Sequence, residues 1–284
     1  MPYNHMAFDT VYLVSKTLDL ATAQAVAAAE AALGIRFPAG YREYVTTLGA
    51  GHYNDDIRIM MPEQIQAEYA VQQQTWAEYA DLYEGYYEVI PPDRLVQSII
   101  FGTTSGGLDI IFHPDDPEDI YVLNAEDEDA FHAGATLEGV LDWMVLSGEV
   151  LWKDDPAVLT RSGEFVSTDF RYFESHLNRA QLHLSGSGPS SFRQARDYLI
   201  ARARATPDVL TCVRHHEECD GEPPLDWIQL LVSEYAGDVR CFDAVEGEGS
   251  SIDLRYDRTQ QTAALRDLVA ALTSFGYRSR SSWP

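Results

Sequence analysis

Basic residues are missing from one long stretch of this 284-residue chain. Between Arg94 and Lys153 there is no lysine or arginine, while residues 101–150 hold 12 Asp or Glu. Over the whole chain 45 acidic residues face 20 basic ones, a net charge of −25. The deficit is uneven: residues 1–150 carry a net −20 and residues 151–284 a net −5. An acidic surface repels phosphate backbones and anionic lipid headgroups, so direct nucleic-acid binding and membrane docking are not expected. It draws in basic proteins and speeds their encounter. Cysteine is scarce: Cys212, Cys219 and Cys241 cannot all pair internally. No apolar run approaches the ~18–20 residues that span a bilayer, and Met1 to Lys16 has no basic stretch leading into an apolar one. A soluble, cytoplasmic protein is the expectation.

Catalytic signatures are absent as well. There is no H-E-x-x-H, no G-x-S-x-G and no Walker loop. The loop Gly186-Ser187-Gly188-Pro189-Ser190-Ser191 precedes a helical pattern but lacks the Walker Lys, and Ser190 suits a helix cap better than an anion site. Gly102 to Gly107 joins strand to strand, without the helix N-terminus that phosphate sites use. The acidic runs Asp115-Asp116-Pro117-Glu118-Asp119 and Glu126-Asp127-Glu128-Asp129 do not fit the calcium loop of an EF-hand. Cys212, His215, His216 and Cys219 offer zinc-type donors, but C-x₂-H-H-x₂-C matches no common finger. No cofactor or metal is assigned, and the chain reads as a binder rather than an enzyme.

Periodicity supplies the architecture. A helix is expected from Asp19 or Thr22 to Leu33, stopped by Gly34, and a second opening at Pro38 with Tyr41, Val45 and Leu48 on one face. After a short strand from Ile57 to Met60, a longer helix from Pro62 to about Gly85 carries the stripe Ile65, Tyr69, Trp76, Tyr83. Strands follow at Tyr86 to Ile90, Ser98 to Gly102, Leu108 to His113 and Ile120 to Leu123, with a turn at Pro114–Glu118, and a helix from Thr136 to Leu146 closes the half. Leu33-Gly34-Ile35-Arg36-Phe37-Pro38 to Tyr44, Phe101-Gly102 to Phe112, Asp119 to Leu123 and Thr136 to Trp143 stand in this order. In order and spacing they resemble the SMI1/KNR4 superfamily, also called SUKH, over roughly residues 20–150.

The second half gives alternating strands and two amphipathic helices, one around Phe192, Ala195 and Leu199 and one around Leu265, Leu268 and Leu272. The expected class is α+β throughout. Residues 1–155 form a SUKH-like antiparallel sheet with flanking helices, 156–170 a connector, and 171–284 a ferredoxin-like two-layer sandwich without a recognised family.

What the resemblance implies is an immunity protein that binds and neutralises a cognate bacterial toxin domain by occluding its active surface. Charge favours a basic partner, as a nuclease must be where it grips its substrate. Tyr83, Tyr86 and Tyr87 are the expected aromatic anchors, since Tyr tolerates half-exposed sites where proteins meet. Asp115, Asp116, Glu118, Asp119, Glu126, Asp127, Glu128 and Asp129 are the expected charged contacts. The alternatives are a regulatory scaffold of SMI1/KNR4 type, or an enzyme with its site in the second half.

Overall fold

A computed structural model describes residues 8–78, 85–124, 129–147, 157–159, 165–167, 171–186, 189–205, 209–216, 225–232, 236–242, 249–260 and 262–279. The chain divides into two compact units that interleave along the sequence. One comprises Met1–Tyr12, Thr17–Lys153 and Arg171–His176; the other Leu13–Lys16, Asp154–Phe170 and Leu177–Pro284.

In the first unit, β1 (Tyr12–Leu13) precedes α1 (Ala23–Leu33) and α2 (Tyr41–Thr47). Thr22 caps α1 by accepting the Ala25 N–H at 3.0 Å, and Gly34 ends it at φ 68°, the left-handed stop that the sequence requires. The second helix begins at Tyr41, three residues later than Pro38 suggested, because Gly40 at φ 86° turns the chain immediately before it. Tyr41, Tyr44, Val45 and Leu48 are all buried. Gly49, at φ 79°, lies so close to the Asp19 carbonyl that a Cβ would stand 2.0 Å from it, which fixes α2 against the entry to α1.

Strands β2 (Gly51–Tyr53) and β3 (Ile57–Ile59) lead to α3 (Pro62–Glu78) and the single turn α4 (Pro92–Leu95). Then come β4 (Ile99–Thr104), β5 (Leu108–His113), β6 (Asp116–Asn124), β7 (Asp129–Gly134) and α5 (Leu137–Leu146), capped by Thr136. The run from Tyr86 to Ile90 is not a strand: residues 85–88 form a 3-10 turn. Alternation over so few residues cannot separate the two.

Residues from beyond α5 divide between the two units. Strands β8 (Ala157–Leu159) and β9 (Phe165–Ser167) fall where a connector was expected and join the second sheet, whereas β10 (Tyr172–Ser175) returns to the first. The first sheet therefore runs β1-β10-β2-β3-β4-β5-β6-β7, with Phe173 opposite Tyr53 and Glu174 opposite His52. One face packs on α1, α2 and α5 through Val26, Tyr41, Val45, Phe101, Ile110, Phe112, Leu141 and Met144, joined by Phe173 from β10. The other bears a smaller core in which Trp76 of α3, Tyr86, Ile90 and Leu95 of α4 cover Ile111 and Leu123.

The second unit contains β11 (Arg179–Ser185), α6 (Pro189–Ala205), β12 (Val209–His216), β13 (Leu225–Val232), β14 (Gly237–Phe242), β15 (Ser251–Asp257), α7 (Ala263–Ser274) and β16 (Arg278–Ser279). Its order is β16-β11-β15-β14-β13-β12-β8-β9, antiparallel throughout. The α+β class holds in both units. Within this one, β12 to β15 form a meander instead of interleaving in ferredoxin-like fashion. Pro189 takes the first helical position of α6, so Ser190 lies inside the helix. Leu182, Leu184, Leu230, Val239, Ile252 and Leu254 meet Phe192, Leu199, Leu265 and Leu268, so both helices cover one face.

On the other face Asp238, 1% exposed, gathers polar side chains from four strands. Its Oδ2 accepts from Gln229 at 3.0 Å, from Arg240 Nε at 2.9 Å and from Arg255 Nη2 at 2.7 Å. Its Oδ1 accepts from Arg255 Nε at 2.7 Å, and the Arg179 guanidinium stands 3.7 Å away.

Candidate protein-binding site

The hairpin β5–β6 turns through only Pro114 and Asp115, because β6 begins at Asp116, two residues into the expected turn. The Asp115 N–H donates to His113 Nδ1 at 3.2 Å, so the ring closes the turn and carries its proton, when neutral, on Nε2. Burial, seconded by the Arg94 guanidinium, moves the His113 pKa down, against the pull of Asp115, Asp116 and Asp93. The register slips between Phe112 and His113, leaving residues 117–119 without opposites on β5. That irregularity turns Glu118 out to solvent.

Around this end the strand pairing assembles a mixed but acid-rich group. Arg94 of α4 reaches Asp116 with Nη2 to Oδ2 at 3.2 Å. Asp119 meets His132 of β7 at 3.1 Å, and His132 stands edge-on to Tyr121 with ring centres 5.2 Å apart. Burial leads in raising the Tyr121 hydroxyl pKa, with Asp119 adding to it. Arg94 is the only Lys or Arg between residues 59 and 152. Its guanidinium pairs with Asp116 among the carboxylates Asp93, Asp115, Asp116, Glu118 and Asp119, so this stretch of chain keeps a negative balance. Its ion pairs are half-exposed and contribute little to stability. Their carboxylates remain available to an incoming cation.

The sequence-expected contacts divide. Asp115 and Glu118 are exposed, Asp116 and Asp119 half-exposed, and Asp129 exposed at the start of the edge strand β7. Strand β6 thus brings Asp116, Glu118 and Asp119 together at one end and leaves Asp129 opposite Asn124 at the other. Tyr86 is corrected: it is 4% exposed, its ring lies in the smaller core and its hydroxyl donates to the Asn124 carbonyl at 3.2 Å. A side chain so placed is packing and cannot anchor a partner. Tyr87 is half-buried at the edge of the same core. Tyr83, Glu126, Asp127 and Glu128 lie outside the described residues.

Sequence reasoning missed Arg94, His113, Tyr121 and His132, which only strand pairing collects. It also missed Asp109, half-buried at the opposite end of β5 across from Leu123, whose carboxyl burial lifts to about 6. An aspartate alternating with Leu108 and Ile110 in a strand was the available signal.

Cys212, His215 and His216 fall within β12, and Cys219 lies outside the described residues. Among the described residues no three His, Cys, Asp or Glu side chains gather as a metal site, and no helix is long and apolar enough to cross a membrane. The buried Cys241 packs in the second core.

No curated protein and no solved structure matches the chain. A family match does exist, and it covers α1, α2, the acid-rich hairpin and the first part of α5: residues 20–143 match the model of the SMI1/KNR4 family (SUKH-1).

Proposed function

We propose that this protein is an immunity-type binding protein, which neutralises a basic toxin domain by covering its active surface. The observation that carries the reading is the acid-rich end of β5–β6, inside the segment that matches the SUKH-1 family. Asp115, Asp116, Glu118 and Asp119 supply the field that steers a basic partner, Asp129 extends it along β7, and Tyr87 offers a half-exposed ring beside it. Glu126, Asp127, Glu128 and Tyr83 belong to the same proposed contact set. Such a group speeds encounter and selects charge, while tight binding needs aromatic or aliphatic anchors as well. The action is occlusion, without catalysis, and its place is the cytoplasm, where an immunity protein meets the toxin.

The test is capture of the toxin domain encoded beside this gene, with the full chain as bait, in about 50 mM and about 500 mM salt. A stoichiometric complex is expected at both, forming more slowly at the higher salt as screening shortens the field. Replacing Asp115, Asp116, Glu118 and Asp119 by Lys is expected to slow association at least ~tenfold at low salt. A stoichiometric complex whose rate ignores both salt and these four substitutions would place the interface elsewhere. No complex at either salt would remove the immunity reading.

A further inference from the structure

Strand β10 brings a second polar group to the first sheet, away from the acidic hairpin. His52 on β2 and His176, the residue after β10, approach with Nδ1 of the first 3.0 Å from Nε2 of the second. Their rings stand 4.3 Å apart at 66°. The register explains the approach. Phe173 pairs with Tyr53 and both enter the large core. The pleat therefore turns His52, its opposite Glu174, and His176 to the other face. The His176 N–H donates to the Ala50 carbonyl at 3.2 Å, which continues the pairing past the end of β10 and holds the second imidazole diagonal to the first.

Two imidazole nitrogens 3.0 Å apart have the spacing of neighbouring ligands on one ion. Metal–nitrogen bonds of about 2.0–2.1 Å place adjacent donors about 2.9 Å apart at a right angle and about 3.3 Å apart in a tetrahedron. We propose that His52 Nδ1 and His176 Nε2 form a two-histidine site for a divalent transition ion of the zinc, nickel or copper class, with water in the remaining positions. Imidazole is a ligand these ions share. Binding needs both facing nitrogens as acceptors. The ring that donates in the metal-free pair moves its proton to its outer nitrogen through solvent, and no net proton is released when both rings are neutral. Glu174, opposite His52 in the register, does not complete a three-ligand group among the described residues. The ion would clamp β10, contributed from beyond the family-matched segment 20–143, onto β2 inside it. This site is independent of the toxin-binding reading.

The experiment titrates Zn²⁺, and separately Ni²⁺, into the chelator-stripped full chain at pH 7.5 by calorimetry. One equivalent is expected to bind and to raise the melting temperature. Affinity should fall more than ~tenfold in His52→Gln and in His176→Gln. It should be unchanged in Cys212→Ser/Cys219→Ser, and weaker at pH 5.5, where protons compete for the rings. Circular dichroism checks each variant's fold; if one fails to fold, the other decides. Imidazole ¹⁵N resonances of the unmodified chain give a further readout, since both facing nitrogens should shift on Zn²⁺ addition. Absence of binding to the stripped chain, or binding that survives both histidine substitutions, overturns the proposal.

Discussion

Among the described residues the first sheet carries an apolar core on each of its faces, whereas the second carries one such core and sets the Asp238 charge group on its other face. The consequence lies in where carboxylates can go. At the β5–β6 rim of the first sheet they stand half-solvated and loosely paired, where a partner can compete for them. In the second, Asp238 is withdrawn from water and held by three guanidiniums and an amide. Carboxylates of the first kind suit recognition; one of the second kind holds strands together. The more acidic half keeps its charge available, and the more balanced half spends it on structure.

Asp238→Ala should have the largest effect. It leaves Arg179, Arg240 and Arg255 facing one another without a common acceptor and should cost about 3–5 kcal/mol in chemical denaturation. A loss under about 1 kcal/mol would erase the contrast between the sheets. The first unit holds a buried pair of its own: Arg171 Nε donates to Asp142 Oδ1 of α5 at 3.0 Å, with the side chains 2% and 5% exposed. Arg171→Ala strands Asp142 in the core and should cost about 3 kcal/mol, while Arg171→Met with Asp142→Leu should recover most of it. Equal losses from the single and double variants would show that shape, not charge, is what the pair supplies.

Asp109 gives a smaller, pH-dependent effect. Below about pH 4 its carboxyl is protonated in both states; between about 4 and 6 the unfolded chain ionises first, so this group lowers stability as pH rises. Asp109→Asn should therefore gain about 2 kcal/mol at pH 7 and little at pH 4, read from denaturation midpoints at the two pH values. The same gain at both would mean burial is not the cause. Smallest of all, reversing Asp115, Asp116, Glu118 and Asp119 should change stability by under about 0.5 kcal/mol per site, because those groups are half-solvated.

Local chemistry made much of this legible beforehand. Thr22, Gly34 and Thr136 mark helix ends because a cap hydroxyl and a Cβ-free left-handed residue act within one turn of chain. The acid-rich hairpin was visible as a gap in basic residues. Tyr86 was misplaced because an aromatic-rich run reads the same on a binding rim as in a small second core. Strand β7 went unseen because Asp129-Ala130-Phe131-His132-Ala133-Gly134 has little strand propensity and is held by its register with β6.

By itself the sequence determined the α+β class, the family resemblance over the first half, the ends of α1 and α5 and the sign of the charge. The class, the helix ends and the charge rest on composition or on residues within a few positions of one another, and the resemblance on the order and spacing of short segments over residues 20–150. Tertiary structure alone decided that β10 completes the first sheet, that β8 and β9 extend the second, and that His52 meets His176 across 124 positions of chain. Pairings of that range depend on which strand edge is open and which core still needs filling, as Phe173 fills the first. Neither condition is written in the local pattern of the strand that satisfies it.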